Sequence, residues 1–248
     1  RSLLNDNHMI QKNKTIGVLG GMGPEASSNL YSKIIKYSQQ KYDAVQDFDY
    51  PPIIIYSLPL FGFDETGIVD EKLIKKQLIG GVKKLESAGC DLVIIGCNTV
   101  HTYFTQMQSQ VKIPIFNIID ETKKRVLDFG YKKVGLFASE STSKLKLYQK
   151  KFADSNIEVI SPNSKQQGVL NKVIEHVMGG NQKIEDVIVL KDIARDYLKQ
   201  GAEAIVMGCT EIPLAINQSH TDIKLFDTIE IIVQCAVDFS LKGSRKSF

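Results

Sequence analysis

The sequence predicts an α/β fold of two similar parallel-sheet domains related by pseudo-twofold symmetry, with a functional site in the cleft between them. Three observations predict it. One stretch of the chain recurs 112 positions later, short apolar runs alternate with amphipathic segments throughout, and a cysteine follows the corresponding strand in both copies.

The recurrence is read first, because a duplication fixes how every later motif is placed. Residues Leu78 to Thr99 read LIGGVKKLESAGCDLVIIGCNT, and residues Leu190 to Glu211 read LKDIARDYLKQGAEAIVMGCTE. In this register Gly89 meets Gly201, Asp91 meets Glu203, Gly96 meets Gly208 and Cys97 meets Cys209. KTIGVLGG from Lys14 resembles KKVGLFAS from Lys132, and IPIFNIID from Ile113 resembles IKLFDTIE from Ile223, at separations of 118 and 110 that small loop differences explain. The expected division is a first domain of residues 14–112 plus 222–248 and a second of 113–221, with the polar, unpatterned residues 1–13 a disordered lead-in.

The alternation gives the elements. In the first half, strands are expected at Thr15 to Leu19, Ile53 to Ser57 and Leu92 to Ile95, and helices at Pro24 to Gln39 and Glu71 to Ala88. In the second, strands fall near Val134 to Phe137, Glu158 to Ile160 and Ala204 to Met207, with helices near Ser143 to Ser155, Gln167 to Met178 and Ile184 to Lys199. Strands separated by amphipathic helices pair in parallel, since the crossover must return the chain to the same sheet edge. Gly89 and Gly201 stand just past their helices, where a left-handed cap favours glycine.

Ligands of open parallel sheets collect at the carboxyl ends of strands, and Cys97 and Cys209 both follow such ends. With the two halves facing each other, the thiols approach one cleft from opposite sides. Inverting a carbon centre means taking a proton from one face and returning one to the other, and two acid/base groups on opposite sides do this directly. A thiol, with an ordinary pKa of about 8.5, serves either role after a modest local shift. The resulting carbanion needs hydrogen bonds on the substrate carboxylate as charge moves onto it. Asn98 and Thr99 after Cys97, Thr210 after Cys209, and the loop Gly20-Gly21-Met22-Gly23-Pro24 supply candidate donors, with Pro24 suited to a first helical turn.

Composition removes other classes. The net charge of +3, from 31 basic and 28 acidic residues, comes without a basic stretch interleaved with aromatics, so nucleic acid is not an expected partner. No apolar run approaches the roughly 18 residues that span a bilayer, and no signal-peptide pattern opens the chain, so no membrane partner is expected. Cys90, Cys97, Cys209 and Cys235 contain no CxxC spacing, which reads as free thiols in a reducing, cytoplasmic setting.

The motifs IGVLGGMGPEA (Ile16 to Ala26), GCNTVH (Gly96 to His101) and MGCTEI (Met207 to Ile212) resemble those of the aspartate/glutamate racemase family, and within it the aspartate racemases. The resemblance runs from about Lys14 to the C-terminal helix. It implies two α/β domains, Cys97 and Cys209 as the two catalytic bases, a free amino acid as substrate, no cofactor and no metal, and commonly a homodimer. It also implies α-carboxylate binding by Met22, Gly23, Asn98, Thr99 and Thr210. One departure concerns the substrate side chain. Aspartate racemases place an arginine after the second strand to clamp the side-chain carboxylate, whereas Ser57 to Ile68 reads SLPLFGFDETGI, with Asp64 at that place. A family lysine aligns with Gly168, and Lys165, one turn away, is the expected substitute.

Other signals have competing readings. Gly21-Met22-Gly23-Pro24-Glu25-Ala26 fits a dinucleotide fingerprint, but the second strand ends Tyr56-Ser57-Leu58-Pro59 without the acidic residue that holds a ribose. His101, four residues after Cys97, reads as a metal ligand, a thiol-activating base, or a histidine that supports the turn. Glu211 reads as a partner for a substrate ammonium or as a charge favoured at a helix start. An amino-acid sensor without chemistry, and a decarboxylase or isomerase with a single working thiol, are the alternatives to a racemase.

Overall fold

The computed structural model describes residues 13–63 and 67–242; the expected lead-in, apart from Asn13, and Asp64 lie outside the described residues. The first half runs β1 (Ile16–Gly20), α1 (Pro24–Tyr42), β2 (Ile53–Ser57), α2 (Glu71–Ser87), β3 (Leu92–Ile95), α3 (Phe104–Gln108) and α4 (Ile118–Asp128). The second runs β4 (Lys133–Phe137), α5 (Glu140–Lys144), α6 (Leu147–Phe152), β5 (Glu158–Ile160), α7 (Ser164–Met178), α8 (Ile184–Lys199), β6 (Ala204–Met207), α9 (Ile212–Ala215), β7 (Lys224–Asp227) and α10 (Thr228–Leu241). Two parallel sheets result, ordered β2-β1-β3 and β5-β4-β6-β7.

The duplication seen in sequence recurs in register. Gly17 pairs with Val93 in the first sheet, and their repeat partners Gly135 and Ile205 pair in the second. A single parallel bridge joins Val93 to Ile115, at the place where Ile205 pairs with Leu225. Polar contacts repeat as well. Asp91 accepts from the backbone N–H of Thr15 at 2.6 Å, and Glu203 from that of Lys133 at 2.9 Å. Asn117 and Asp227 cap the starts of α4 and α10 with their side-chain oxygens, satisfying N–H groups that a helix leaves unpaired. Gly89 and Gly201 have φ of +87° and +88°, as their cap positions require.

Strands β3 and β6 are apolar and buried along their whole length. One core spans the two halves, joining Ile16, Leu92 and Ile94 to Leu136, Ala204 and Val206 through α10 residues such as Ile229 and Val233. Two further cores lie on the outer faces, under α2 and under α7 with α8. Structure corrects two expectations. The helix expected from Ser143 to Ser155 is broken, because Lys146 adopts a left-handed φ of 52° between α5 and α6. The start of the C-terminal segment, assigned to the first half from residue 222, instead supplies β7, which hydrogen-bonds β6 in the second sheet; only α10 returns to pack on α1 and α4.

Candidate active site

Strands β3 and β6 end in Gly96-Cys97-Asn98-Thr99 and Gly208-Cys209-Thr210-Glu211, and these two turns meet at one cleft. The cavity there has a volume of about 230 Å³, below the roughly 300–1,000 Å³ of sites for drug-sized ligands and suited to a single small molecule. Cys97, Asn98, Thr99, Cys209, Thr210 and Glu211 line it together with Gly21, Met22, Gly23 and Pro24. Gly208 is required in its turn: a Cβ would stand 2.7 Å from Leu136 and 2.8 Å from the Tyr148 ring. Gly21, at φ +89°, lets the loop after β1 pass against the Leu58 backbone, and Gly23 opens α1 with no side-chain cap. The N-terminus of a 19-residue helix, with its unpaired N–H groups, therefore borders the cavity.

The two thiols differ in their hydrogen-bonding surroundings. Burial pushes Cys97 up to about 11, against the backbone N–H groups of Val100 and Thr99 and the Thr99 side chain, which favour its thiolate. Cys209 is raised well above its ordinary value, first by burial and then by Glu211. The Cys209 Sγ–H donates to Glu211 Oε2 at 3.1 Å, and the Thr210 hydroxyl donates to the same oxygen at 2.9 Å. Cys209 also has a backbone donor, the Glu211 N–H, so what separates the two thiols is the Glu211 carboxylate that accepts the Cys209 S–H. The arrangement favours base at the first and acid at the second.

A chain of buried polar groups ties the turns together. Asn98 Nδ2 donates to Thr228 Oγ1 at 3.3 Å, and Thr228 Oγ1 donates to the Met207 carbonyl at 2.9 Å. The Tyr148 hydroxyl donates to Asn98 Oδ1 at 2.6 Å. The carbonyl of the Asn98 amide is therefore held by the protein. Thr99 Oγ1 shares hydrogen bonds with Thr142 at 2.8 Å and Ser139 at 3.3 Å, which carry it across to the start of α5. None of these partners is visible as a motif, since they come from 40 to 130 residues away. Thr228 alone left a trace, standing within the second copy, IKLFDTIE, at the place of Ile118 in the first.

His101 has a single assignment that fits its contacts. The Ile118 N–H donates to Nε2 at 3.3 Å, so Nε2 carries no proton and the Nδ1–H donates to the Cys97 carbonyl at 2.8 Å. Burial holds the ring neutral, lowering its pKa to about 4. Both nitrogens are committed, which makes His101 a support of the Cys97 turn rather than a base for the thiol. Among the described residues, no group of three or more His, Cys, Asp or Glu is arranged to hold a metal ion, and no helix is long and apolar enough to cross a membrane.

Lys165 is not in the cleft. It is exposed on the first turn of α7, while that helix meets the cavity through Ile174 and Met178 near its other end. Thirteen residues of helix put Lys165 about 20 Å along the axis from Met178. Gly168 borders a separate polar groove beside Lys144 and Asn171. Ser139, Leu60, Phe63, Ile174 and Met178, none of them singled out from the sequence, also line the cavity; the apolar character of the last four resembles that of core residues, and nothing in their spacing separates the two.

Fold and site together define a class, the parallel α/β proteins in which matched strand ends bring two thiols to one cleft. The sequence profile of the Asp/Glu/hydantoin racemase family matches residues 19–236, and the chain belongs to that family. It is 31% identical to the broad specificity amino-acid racemase RacX of Bacillus subtilis (strain 168), over 90% of this chain and 96% of that one. An aspartate racemase homologue from Pyrococcus horikoshii OT3 superposes with a TM-score of 0.78 at 32% identity, covering 92% of this chain and 99% of its own. The aspartate racemase of Picrophilus torridus gives 0.77 at 25% identity, covering 94% and 96%.

Proposed function

We propose that the chain racemises a free amino acid by passing the Cα proton between Cys97 and Cys209. The observation that carries this reading is that two thiols line one cavity, the Cys209 S–H donating to the Glu211 carboxylate. The Cys97 thiolate takes the Cα proton, forming its S–H as the C–H electron pair moves toward the substrate carboxylate. The Cys209 S–H then delivers its proton to the opposite face and is left as the thiolate, so the reverse reaction runs with the roles exchanged. Forming a thiolate against burial is costly, and the positive charge of the substrate ammonium, held near Glu211, favours it. The start of α1 and the groups of Thr99 and Thr210 would hold the carboxylate and strengthen their hydrogen bonds as charge develops. The family membership and the likeness to RacX support the same reading.

The two-domain division follows as part of this proposal, residues 14–112 with the C-terminal helix forming one domain and the intervening chain the other, so that Cys97 and Cys209 belong to different domains across a pseudo-twofold axis. Deuterium incorporation at Cα in heavy water tests the mechanism. Exchange of both enantiomers is expected with the intact chain, and Cys97→Ala and Cys209→Ala should each lose interconversion together with exchange of the enantiomer whose Cα proton faces the missing thiol. Exchange that survives both substitutions would overturn the assigned roles, and full turnover in Cys209→Ala would favour a single-thiol reaction.

A further inference from the structure

Resting on the racemase reading above, we infer that the cleft selects neutral amino acids with apolar side chains and rejects aspartate and glutamate. Once the residues at the two cysteine turns and at the start of α1 are assigned to the carbon centre and its ammonium and carboxylate, the cavity wall left for a side chain is Leu60, Phe63, Ile174 and Met178, with Ser139, whose hydroxyl is engaged by Thr99 and Thr142. The four apolar residues come from the loop after β2 and the last two turns of α7, Ser139 precedes α5, and none of the five carries a charge.

Charge points the same way. Among the described residues lining the cavity, Glu211 is the one charged side chain, and it is buried. The whole segment from Ser57 to Ile68, including the three positions outside the described residues, contains no lysine or arginine. A second substrate carboxylate would leave water without a cation to meet it, in a cavity that already holds Glu211 and a developing thiolate. An unpaired buried charge is among the most costly arrangements a protein site can present. An apolar side chain exchanges water for Leu60, Phe63, Ile174 and Met178 and gains from the transfer. The aspartate specificity implied by the sequence resemblance is therefore not the one this wall favours.

A Cα deuterium-exchange screen with the intact protein over leucine, methionine, phenylalanine, aspartate, glutamate, lysine and arginine tests it. Leucine or methionine should exceed aspartate in kcat/KM by at least about 100-fold, the discrimination expected when one partner of a buried charge is missing. Met178→Lys, at a helix C-terminus where a cation is tolerated, should raise aspartate kcat/KM about tenfold and lower that of methionine. A preference for an acidic or a basic amino acid in the unmodified protein would overturn the inference while leaving the racemase reading intact. Should none of the seven exchange, the racemase reading falls, and calorimetric titration with leucine against aspartate still decides the inference: tighter leucine supports it, tighter aspartate refutes it.

Discussion

Replacing His101 with glutamine should remove a specific part of the acid sensitivity of folding. The ring is buried with both nitrogens engaged, and its pKa falls from 6.5 to about 4 because burial penalises the charged form. A group whose folded-state pKa is lowered contributes stability that is present above its unfolded value and lost as pH falls toward the folded one, here between about 6.5 and 4. Integrating that shift gives a loss of roughly 2 to 2.5 kcal/mol between pH 7 and pH 4.5. Protonation would also cost the hydrogen bond from Ile118, because Nε2 could no longer accept it. Glutamine keeps a donor and an acceptor but does not titrate. Urea unfolding of both proteins at pH 7 and pH 4.5 reads the difference, and other carboxylates cancel in the comparison. Glutamine should destabilise the protein at pH 7 and close most of the gap at pH 4.5; parallel stability curves across that range would show that His101 is not held neutral by the fold.

Three further outcomes follow. Because burial raises Cys97 from 9.0 to about 11, its thiolate fraction at pH 8 should be about 100-fold below that of an unperturbed thiol, so site-resolved alkylation by iodoacetamide should climb about tenfold per pH unit from 8 to 10; a plateau below pH 9 would contradict this. Tyr148→Phe removes the donor to Asn98 Oδ1 and should cost about 1–3 kcal/mol in chemical denaturation, with a lower kcat and little change in KM; unchanged kcat would leave the clip between the cysteine turns a structural feature only. Gly208→Ala, which drives a methyl into Leu136 and Tyr148, should destabilise by about 1–3 kcal/mol, read as a lowered Tm.

What could be read from the sequence was whatever rests on local pattern or on the duplication. Strands Ile53–Ser57, Leu92–Ile95, Glu158–Ile160 and Ala204–Met207 have the expected bounds; Leu92–Ile95 and Ala204–Met207 are buried throughout and appear as short apolar runs between turn residues. The duplication also forecast that Cys97 and Cys209 occupy equivalent turns. The break at Lys146 was not legible, since a left-handed residue there carries no glycine or asparagine signal. The Tyr148, Asn98, Thr228 and Met207 chain was equally hidden, as it joins four segments by tertiary contact alone. Lys165 failed for a geometric reason: one helical turn from the aligned position is near in sequence, yet the helix offers its opposite end to the cleft.

The passage of the Cα proton between the two thiols is tested most directly by Cα deuterium incorporation into each enantiomer of a single turned-over amino acid by the intact protein, Cys97→Ala and Cys209→Ala. Both enantiomers should exchange in the intact protein, and each variant should lose interconversion together with abstraction from the face its missing thiol served. Interconversion that persists in either variant at the intact protein's rate would contradict it.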